Sequence, residues 1–266
     1  MQKLHFTKMH GLGNDYLYVY GEVPENITSL SEKLSDRHFG AGSDGMIYIC
    51  KSDCADFKMR IFNADGSEAK MCGNGIRCVA KYVFDKGYTD KTSLSIETLS
   101  GIKKIQLQVQ GGKAKYATVD MGITEIQKEK ALSLDKKKIV CLPVSVGNPH
   151  AVIFTDDIAA VPLTEAGPLI EKHSDFPGGV NVEFVQILTS DKIRMRVWER
   201  GSGVTLACGT GACASVAASV SRGFCPEGKE VTVILDGGEL KISVDKDGRA
   251  LMTGPAEIVY EGEVEI

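Results

Sequence analysis

Two cysteines stand in nearly the same short motif, half a chain apart. The first lies in Met71-Cys72-Gly73-Asn74-Gly75 and the second in Ala207-Cys208-Gly209-Thr210-Gly211, so that Cys208 follows Cys72 by 136 residues in a chain of 266. The likeness extends upstream at the same offset, where Lys58-Met59-Arg60-Ile61-Phe62-Asn63 matches Arg194-Met195-Arg196-Val197-Trp198-Glu199. A duplicated chain therefore delivers one cysteine from each half.

Each cysteine is expected at the N-terminus of a helix. Alternating apolar residues before each motif predict a strand, and the runs Ile76 to Lys86 and Ala212 to Arg222 predict helices bounded by Gly87 and Gly223. Unpaired backbone N–H groups and the helix dipole at such a terminus stabilise a thiolate. The neighbouring glycines let the same N–H groups approach a carboxylate. Two such sites facing each other would place acid and base on opposite sides of one carbon, as stereoinversion requires.

The composition argues against several other classes of protein. A net charge of −4 gives no electrostatic basis for binding nucleic acid. No apolar run reaches the roughly 18 residues of a membrane helix, and Met1 to Phe6 runs directly into an alternating pattern instead of a signal peptide, so we expect a cytoplasmic protein that does not enter the membrane. The eight cysteines form no Cys-x-x-Cys pair and His-rich metal spacings are missing, so we expect no metal and free thiols.

The two halves repeat one order of elements: strand, glycine-rich turn, strand, short helix, two strands, cysteine helix, hairpin. We therefore expect an α+β fold of two pseudo-symmetric domains, with residues 1–123 carrying Cys72, residues 139–266 carrying Cys208, and residues 124–138 as a connector. Each domain is predicted to be a mostly antiparallel sheet wrapped around a central helix. Both helix N-termini are expected to point toward a cleft between the domains. The helix after Cys208 carries Ala, Ser, Val and Cys on all sides, which predicts that it is enclosed.

The motifs, taken together and in order, resemble one family. They are Gly13-Asn14-Asp15, Phe62-Asn63-Ala64-Asp65-Gly66-Ser67, Met71-Cys72-Gly73-Asn74-Gly75, Gly147-Asn148-Pro149-His150, Asn181, Glu199-Arg200-Gly201, Ala207-Cys208-Gly209-Thr210-Gly211-Ala212-Cys213 and Gly254-Pro255-Ala256. With them the chain resembles diaminopimelate epimerases over essentially its full length. The resemblance implies the fold of that family and a cofactor-independent epimerase that acts as a homodimer. Its reaction would invert one α-carbon of LL-2,6-diaminopimelate to give the meso isomer, for lysine and peptidoglycan precursor synthesis.

The resemblance also implies roles for individual residues. Cys72 and Cys208 would be the two acid/base groups, one entering as thiolate and the other as thiol, with His150 and Glu199 assisting around the reacting centre. The backbone amides that would hold the reacting carboxylate are those of Gly73, Asn74, Gly209 and Thr210. The side chains that match substrate contacts in the family are those of Asn14, Asn63, Asn148, Asn181, Glu199 and Arg200.

The chain departs from the family pattern at two positions. Gly45 stands where some members carry glutamine as a substrate contact, and Val204 stands where many members carry glutamate before the second cysteine motif. If that glutamate tunes the second cysteine elsewhere, another group must do so in this chain.

Structural readings and rival functions remain open at this point. Asn14 and Asn148 are also typical turn formers, His150 could stabilise a turn, and Glu199 with Arg200 could be an exposed ion pair. A proline-type racemase also resembles a two-cysteine enzyme, although it usually has histidine where this chain has Asn74. A thiol hydrolase would use one cysteine with His150. A binding protein for a small amino acid would use the same cradle of N–H groups without chemistry.

Overall fold

The computed structural model describes residues 3–134 and 137–266. Strands and helices follow one another along the chain as β1 (Lys3–Gly11), β2 (Asn14–Tyr20), α1 (Ile27–Ser35), β3 (Gly45–Cys50), β4 (Phe57–Asn63), β5 (Glu68–Ala69), α2 (Gly73–Asp85), β6 (Ser93–Thr98), β7 (Gly101–Gln110), β8 (Lys113–Ile123), β9 (Glu125–Ile126), β10 (Lys130–Leu134), β11 (Lys137–Ser145), β12 (Pro149–Phe154), α3 (Leu163–Glu171), β13 (Asn181–Thr189), β14 (Lys192–Glu199), β15 (Gly203–Val204), α4 (Gly209–Ser221), β16 (Val231–Leu235), β17 (Gly238–Val244), β18 (Arg249–Pro255) and β19 (Glu257–Glu265).

The chain divides into two compact units, whose bounds differ from the expected ones. Unit 1 consists of residues 1–119 and 254–266, and unit 2 consists of residues 120–253. The C-terminal residues belong to unit 1 because β19 pairs antiparallel with β1 along nearly its whole length. The stretch 124–138, expected to be a connector, contributes the strands β9 and β10 and the start of β11 to unit 2, and positions 135 and 136 of it lie outside the described residues.

The same strand pairings recur in both units, so the duplication predicted from the sequence extends to the fold. In unit 1, β2 and β4 pair parallel with β3 and β6 respectively, and the pairs β3–β4 and β6–β7 are antiparallel. In unit 2 the pairs β12–β13 and β14–β16 are parallel, and β13–β14 and β16–β17 are antiparallel. The expected fold class, with mostly antiparallel strands around a central helix in each half, is confirmed.

Each unit encloses its cysteine helix and covers an outer sheet face with a shorter helix. In α4 nearly every residue from Gly209 to Ser219 is buried, as its small apolar side chains predict. The helix α1 buries Ile27, Leu30 and Leu34, a spacing of one helical face, in the unit 1 core with Phe62 and strand residues of β1 to β3. The sheet around each central helix therefore fixes where the first turn of that helix lies.

None of the helices within the described ranges is long and apolar enough to cross a membrane. Nor do the described residues bring together three His, Cys, Asp or Glu side chains that could hold a metal ion.

Candidate functional site

Cys72 is the N-cap residue of α2. Its backbone is extended, with φ −140° and ψ 113°, and its Sγ accepts a hydrogen bond from the backbone N–H of Gly75 at 3.2 Å. A Cβ at Gly75 would lie 2.7 Å from Cδ1 of Ile47 and 3.4 Å from the Cβ of Cys72. Glycine is therefore needed at this position because the first turn of α2 presses against strand β3. The half-buried sulfur lies where the helix amides favour negative charge.

Asn14 contacts the sulfur of Cys72 directly. The thiol donates to Oδ1 of Asn14 at 3.2 Å, and Nδ2 of Asn14 donates to Oδ2 of Asp44 at 2.8 Å. Asp44 also accepts hydrogen bonds from the backbone of Asp15 at 3.0 Å and from Arg37 at 2.8 Å. These contacts fix the orientation of the Asn14 amide, so its role goes beyond forming a turn.

The fully buried Arg77 supports the first turn of α2 from below. Its Nη1 donates to the carbonyl of Gly73 at 3.2 Å and to Oδ1 of Asn74 at 3.1 Å, and its Nε donates to the carbonyl of Pro255 at 3.1 Å. The side chain of Asn74 is thus engaged with Arg77, while the backbone amides of Gly73 and Asn74 belong to the unpaired N-terminal turn. Arg77 places a full positive charge beneath the same amides.

Cys208 repeats the geometry of Cys72 in unit 2. It is the N-cap of α4 with φ −120° and ψ 112°, its Sγ accepts from the N–H of Gly211 at 3.3 Å, and Oγ1 of Thr210 lies 3.5 Å from the sulfur. Burial raises the pKa of the Cys208 thiol well above its ordinary value. The negative charges of Glu199 and Glu183 raise this pKa further, against the lowering effect of the Thr210 and Gly211 hydrogen bonds. The free Cys208 is therefore a thiol.

Glu199 lies beside Cys208 at the end of β14. Burial raises the pKa of the Glu199 carboxyl group, and the charge of Glu183 acts in the same direction, against hydrogen bonds from Thr205 and Cys208. The hydroxyl of Thr205 donates to Oε1 of Glu199. Val204, the departure noted in the sequence, is 42% exposed in the short strand β15. The acidic groups that influence Cys208 are therefore Glu199 and Glu183.

His150 is buried, and each of its ring nitrogens faces a polar side chain. Nδ1 lies 2.6 Å from Oε1 of Glu183, and Nε2 lies 3.1 Å from Oδ1 of Asn148. Nδ2 of Asn148 in turn donates to Oγ1 of Thr210 at 3.3 Å. His150 is thus joined to Cys208 through Asn148 and Thr210.

Asn181 and Arg200 form a second group in unit 2. The backbone N–H of Arg200 donates to Oδ1 of Asn181 at 2.9 Å, Nδ2 of Asn181 donates to the carbonyl of Pro149 at 3.0 Å, and Nη1 of Arg200 donates to the carbonyl of Gly178 at 2.9 Å. Arg200 and His150 line the same hollow of about 270 Å³. The exposed Arg200 is therefore held in place while its remaining donors face outward.

Asn63 stands apart from Cys72 in its hydrogen bonds. Its Nδ2 donates to Oγ of Ser67 at 3.1 Å, and Ser67 lies in the tight turn that follows β4. The neighbouring Gly45 has φ +153°, and a Cβ there would lie 2.1 Å from the carbonyl oxygen of Phe62. Glutamine cannot occupy position 45 in this backbone, which accounts for that departure from the family pattern.

Sequence reasoning missed three buried or bonded residues of the site: Asp44, Arg77 and Glu183. One signal was available for Glu183. It follows Ile47 by 136 residues, so a carboxylate stands in β13 where the other half has isoleucine, and a Cβ at Gly211 would lie 2.7 Å from its Oε1 just as one at Gly75 would meet Ile47.

Comparison with known proteins assigns the family. A family model described as diaminopimelate epimerase matches residues 6–126 and 142–259. A diaminopimelate epimerase of Methanococcus maripaludis is 50% identical, with 99% of this chain and 100% of the relative covered. Among solved structures, a PhzF-family phenazine biosynthesis protein of Bacillus anthracis aligns with a TM-score of 0.79 at 19% identity over 100% of both chains. A hydroxyproline epimerase of Agrobacterium vitis aligns with a TM-score of 0.74 at 18% identity over 99% of this chain and 91% of that one.

The two structural matches share the fold, and the sequence matches extend over the whole cysteine-bearing scaffold described above. The chain belongs to the diaminopimelate epimerase family and is an epimerase, an enzyme of the isomerase class.

Proposed function

We propose that the protein interconverts LL-2,6-diaminopimelate and its meso isomer by means of Cys72 and Cys208, without a cofactor. The observation that carries the proposal is the matched pair of cysteine N-caps, each sulfur accepting a hydrogen bond from the backbone N–H three residues further on. Membership of the diaminopimelate epimerase family supports the substrate.

The proposed reaction breaks and remakes one C–H bond. One sulfur, as thiolate, takes the α-hydrogen and becomes a thiol, while the bonding electrons move onto the substrate carboxylate. The other sulfur, as thiol, gives a proton to the opposite face of the carbon and becomes a thiolate. No net oxidation occurs, and the two cysteines exchange roles with the handedness of the substrate.

The negative charge that develops on the carboxylate needs stabilisation that is in place before the reaction. The amides of Gly73 and Asn74 at α2 and those of Gly209 and Thr210 at α4 would supply it, with Arg77 adding positive charge behind the first pair. One such donor is typically worth about 3 kcal/mol of transition-state stabilisation. This arrangement would replace the electron sink that a pyridoxal cofactor supplies in other amino-acid racemases.

The remaining site residues would bind the distal amino-acid end and orient the acid/base groups. Arg200, which is held by Asn181, would pair with the distal carboxylate, and Asn63 would contact the same end. Asn14 contacts Cys72, and Glu199 lies beside Cys208. His150 would act on Cys208 through Asn148 and Thr210.

A role in lysine and peptidoglycan precursor synthesis, assembly as a homodimer and a cytoplasmic location belong to the same proposal. The first two are supported by family membership. The described cysteines are all free thiols, as in proteins of reducing compartments.

Incubation of the purified protein with LL-diaminopimelate in deuterated water tests the proposal. We expect deuterium at one α-carbon together with inversion to the meso isomer. Exchange with proline and none with diaminopimelate would indicate a proline-type racemase. A covalent acyl-enzyme would indicate a thiol hydrolase, and unreacted bound ligand would indicate a binding protein. Each of these three results would overturn the proposal.

A further inference from the structure

The carboxylate of Glu183 is buried with a single hydrogen-bond partner among the described residues. Its exposed fraction is 0%, its Oε1 lies 2.6 Å from Nδ1 of His150, and its Oε2 has no hydrogen-bond partner. A buried carboxylate with so few hydrogen bonds requires a positive charge close by. The ring of His150 is the basic group that it contacts.

The second nitrogen of that ring also faces an acceptor. Nδ2 of Asn148 donates to Thr210, and this orients Oδ1 of Asn148 toward Nε2 of His150. Since the ring lies between two oxygen acceptors, both contacts are hydrogen bonds only if both ring nitrogens carry hydrogen. A free imidazole is the stronger base, with a reference pKa of about 6.5 against about 4.3 for a glutamate, so the hydrogen shared with Glu183 belongs on the ring.

We propose that Glu183 is a positioning residue that holds His150 as a buried imidazolium ion. From this cation every hydrogen bond runs in one direction toward the sulfur of Cys208. His150 donates to Asn148, Asn148 donates to Thr210, and the hydroxyl of Thr210 is left to donate to the sulfur.

The consequence for catalysis rests on the proposed function. A chain of donors that begins at a cation is polarised toward its last acceptor, so it stabilises the Cys208 thiolate when that thiol gives up its proton during turnover. Glu199 and Glu183 raise the pKa of Cys208 in the resting enzyme. Glu183 therefore provides the counter-charge that keeps a cation available to the otherwise acidic half of the site. Arg200 lines the same hollow as His150, and its guanidinium donates to Gly178.

Nitrogen-15 NMR of the histidine rings in the free enzyme tests the proposal without any substrate. The chain has five histidines, and a His150→Gln variant identifies the signals of His150 by their loss. In the wild-type protein at pH 8 we expect the His150 ring to show two protonated nitrogens. A ring with one protonated nitrogen in the wild-type protein would overturn the proposal, whatever any variant does.

The variant Glu183→Gln removes the charge and keeps an oxygen that Nδ1–H can face. We expect its His150 ring to lose one of the two protons at pH 8, and we expect kcat to fall about tenfold or more with KM changed by less than about threefold. Glu165→Gln, on the exposed side of α3, is the matched control and should change neither the NMR signals nor kcat. A His150 ring that stays doubly protonated in Glu183→Gln would contradict the proposal.

These results separate the inference from the proposed function. A doubly protonated His150 in a protein that does not invert diaminopimelate would leave the ion pair intact and overturn the function. A neutral His150 in an active epimerase would overturn the ion pair alone.

Discussion

Oδ1 of Asn14 accepts a hydrogen bond from the thiol of Cys72 across 3.2 Å, and Asp44 holds the Asn14 amide in the orientation that makes this possible. Residues from three separate stretches of the chain thereby position one sulfur. The equivalent groups around Cys208 are the hydroxyl of Thr210 and the carboxylate of Glu199. The two cysteines share one backbone geometry and differ in the polar groups that surround them.

Replacing Asn14 with alanine should impair catalysis and spare the fold. We expect Asn14→Ala to lower kcat about tenfold or more because Cys72 loses the partner that orients its sulfur. The matched control is Asn26→Ala, since Asn26 is an exposed helix N-cap whose side chain makes no capping hydrogen bond. Steady-state kinetics with both diaminopimelate isomers measure the effect. Equal kcat values for the two variants would show that the Asn14 contact has no catalytic role.

Gly45 should be among the most sensitive positions for stability. A methyl group at this site meets the Phe62 carbonyl at 2.1 Å on a backbone with φ +153°, so Gly45→Ala should lower the free energy of unfolding by about 3 kcal/mol. Gly178→Ala provides the comparison, because a Cβ there has nothing within 4 Å and its φ is not positive, and we expect a change below about 0.5 kcal/mol. Denaturant unfolding measures both, and similar stabilities would be inconsistent with the described backbone.

The reactivity of Cys208 should depend on pH in a defined direction. Because burial and then the charge of Glu199 raise the pKa of the thiol, its thiolate fraction stays low at neutral pH and grows only above pH 9, the ordinary value for a thiol in these comparisons. Alkylation of Cys208 by iodoacetamide, followed by mass spectrometry, should therefore have a midpoint above pH 9. In Glu199→Gln the midpoint should move to lower pH, although burial still keeps it raised.

The exposed Cys54 shows in the same samples that the reagent is active. The pH of half-maximal rate reports the titration, while the maximal rate also depends on access to the buried sulfur. A wild-type midpoint below pH 9, or no shift in Glu199→Gln, would rule out this description of Cys208.

Much of the fold was accessible from the sequence because the chain states it twice. The offset of 136 residues aligned strands, helices and hairpins of the two halves, and the enclosed character of α4 followed from its small side chains. The domain bounds were less accessible. The C-terminal strand β19 returns to pair with β1, and such a long-range pairing leaves no local signal in the sequence.

The support for the site was harder to predict than the cysteines. Arg77 and Glu183 are charged residues within otherwise apolar stretches, and sequence patterns assign such residues to exposed positions. Their burial results from tertiary contacts: Arg77 with the first turn of α2 and Pro255, and Glu183 with His150. The glycine at position 45 was visible as a departure from the family, but only the backbone angle explains it.

The most direct test of the two-cysteine reaction compares Cys72→Ala and Cys208→Ala with the wild-type protein and with Cys54→Ala, an exposed cysteine that serves as the control. Each protein is incubated with LL-diaminopimelate, and separately with the meso isomer, in deuterated water. We predict that Cys54→Ala matches the wild-type protein, and that interconversion of the isomers falls by on the order of a thousandfold or more in each of the other two variants, with circular dichroism unchanged. Wild-type rates of interconversion in both Cys72→Ala and Cys208→Ala would contradict the account.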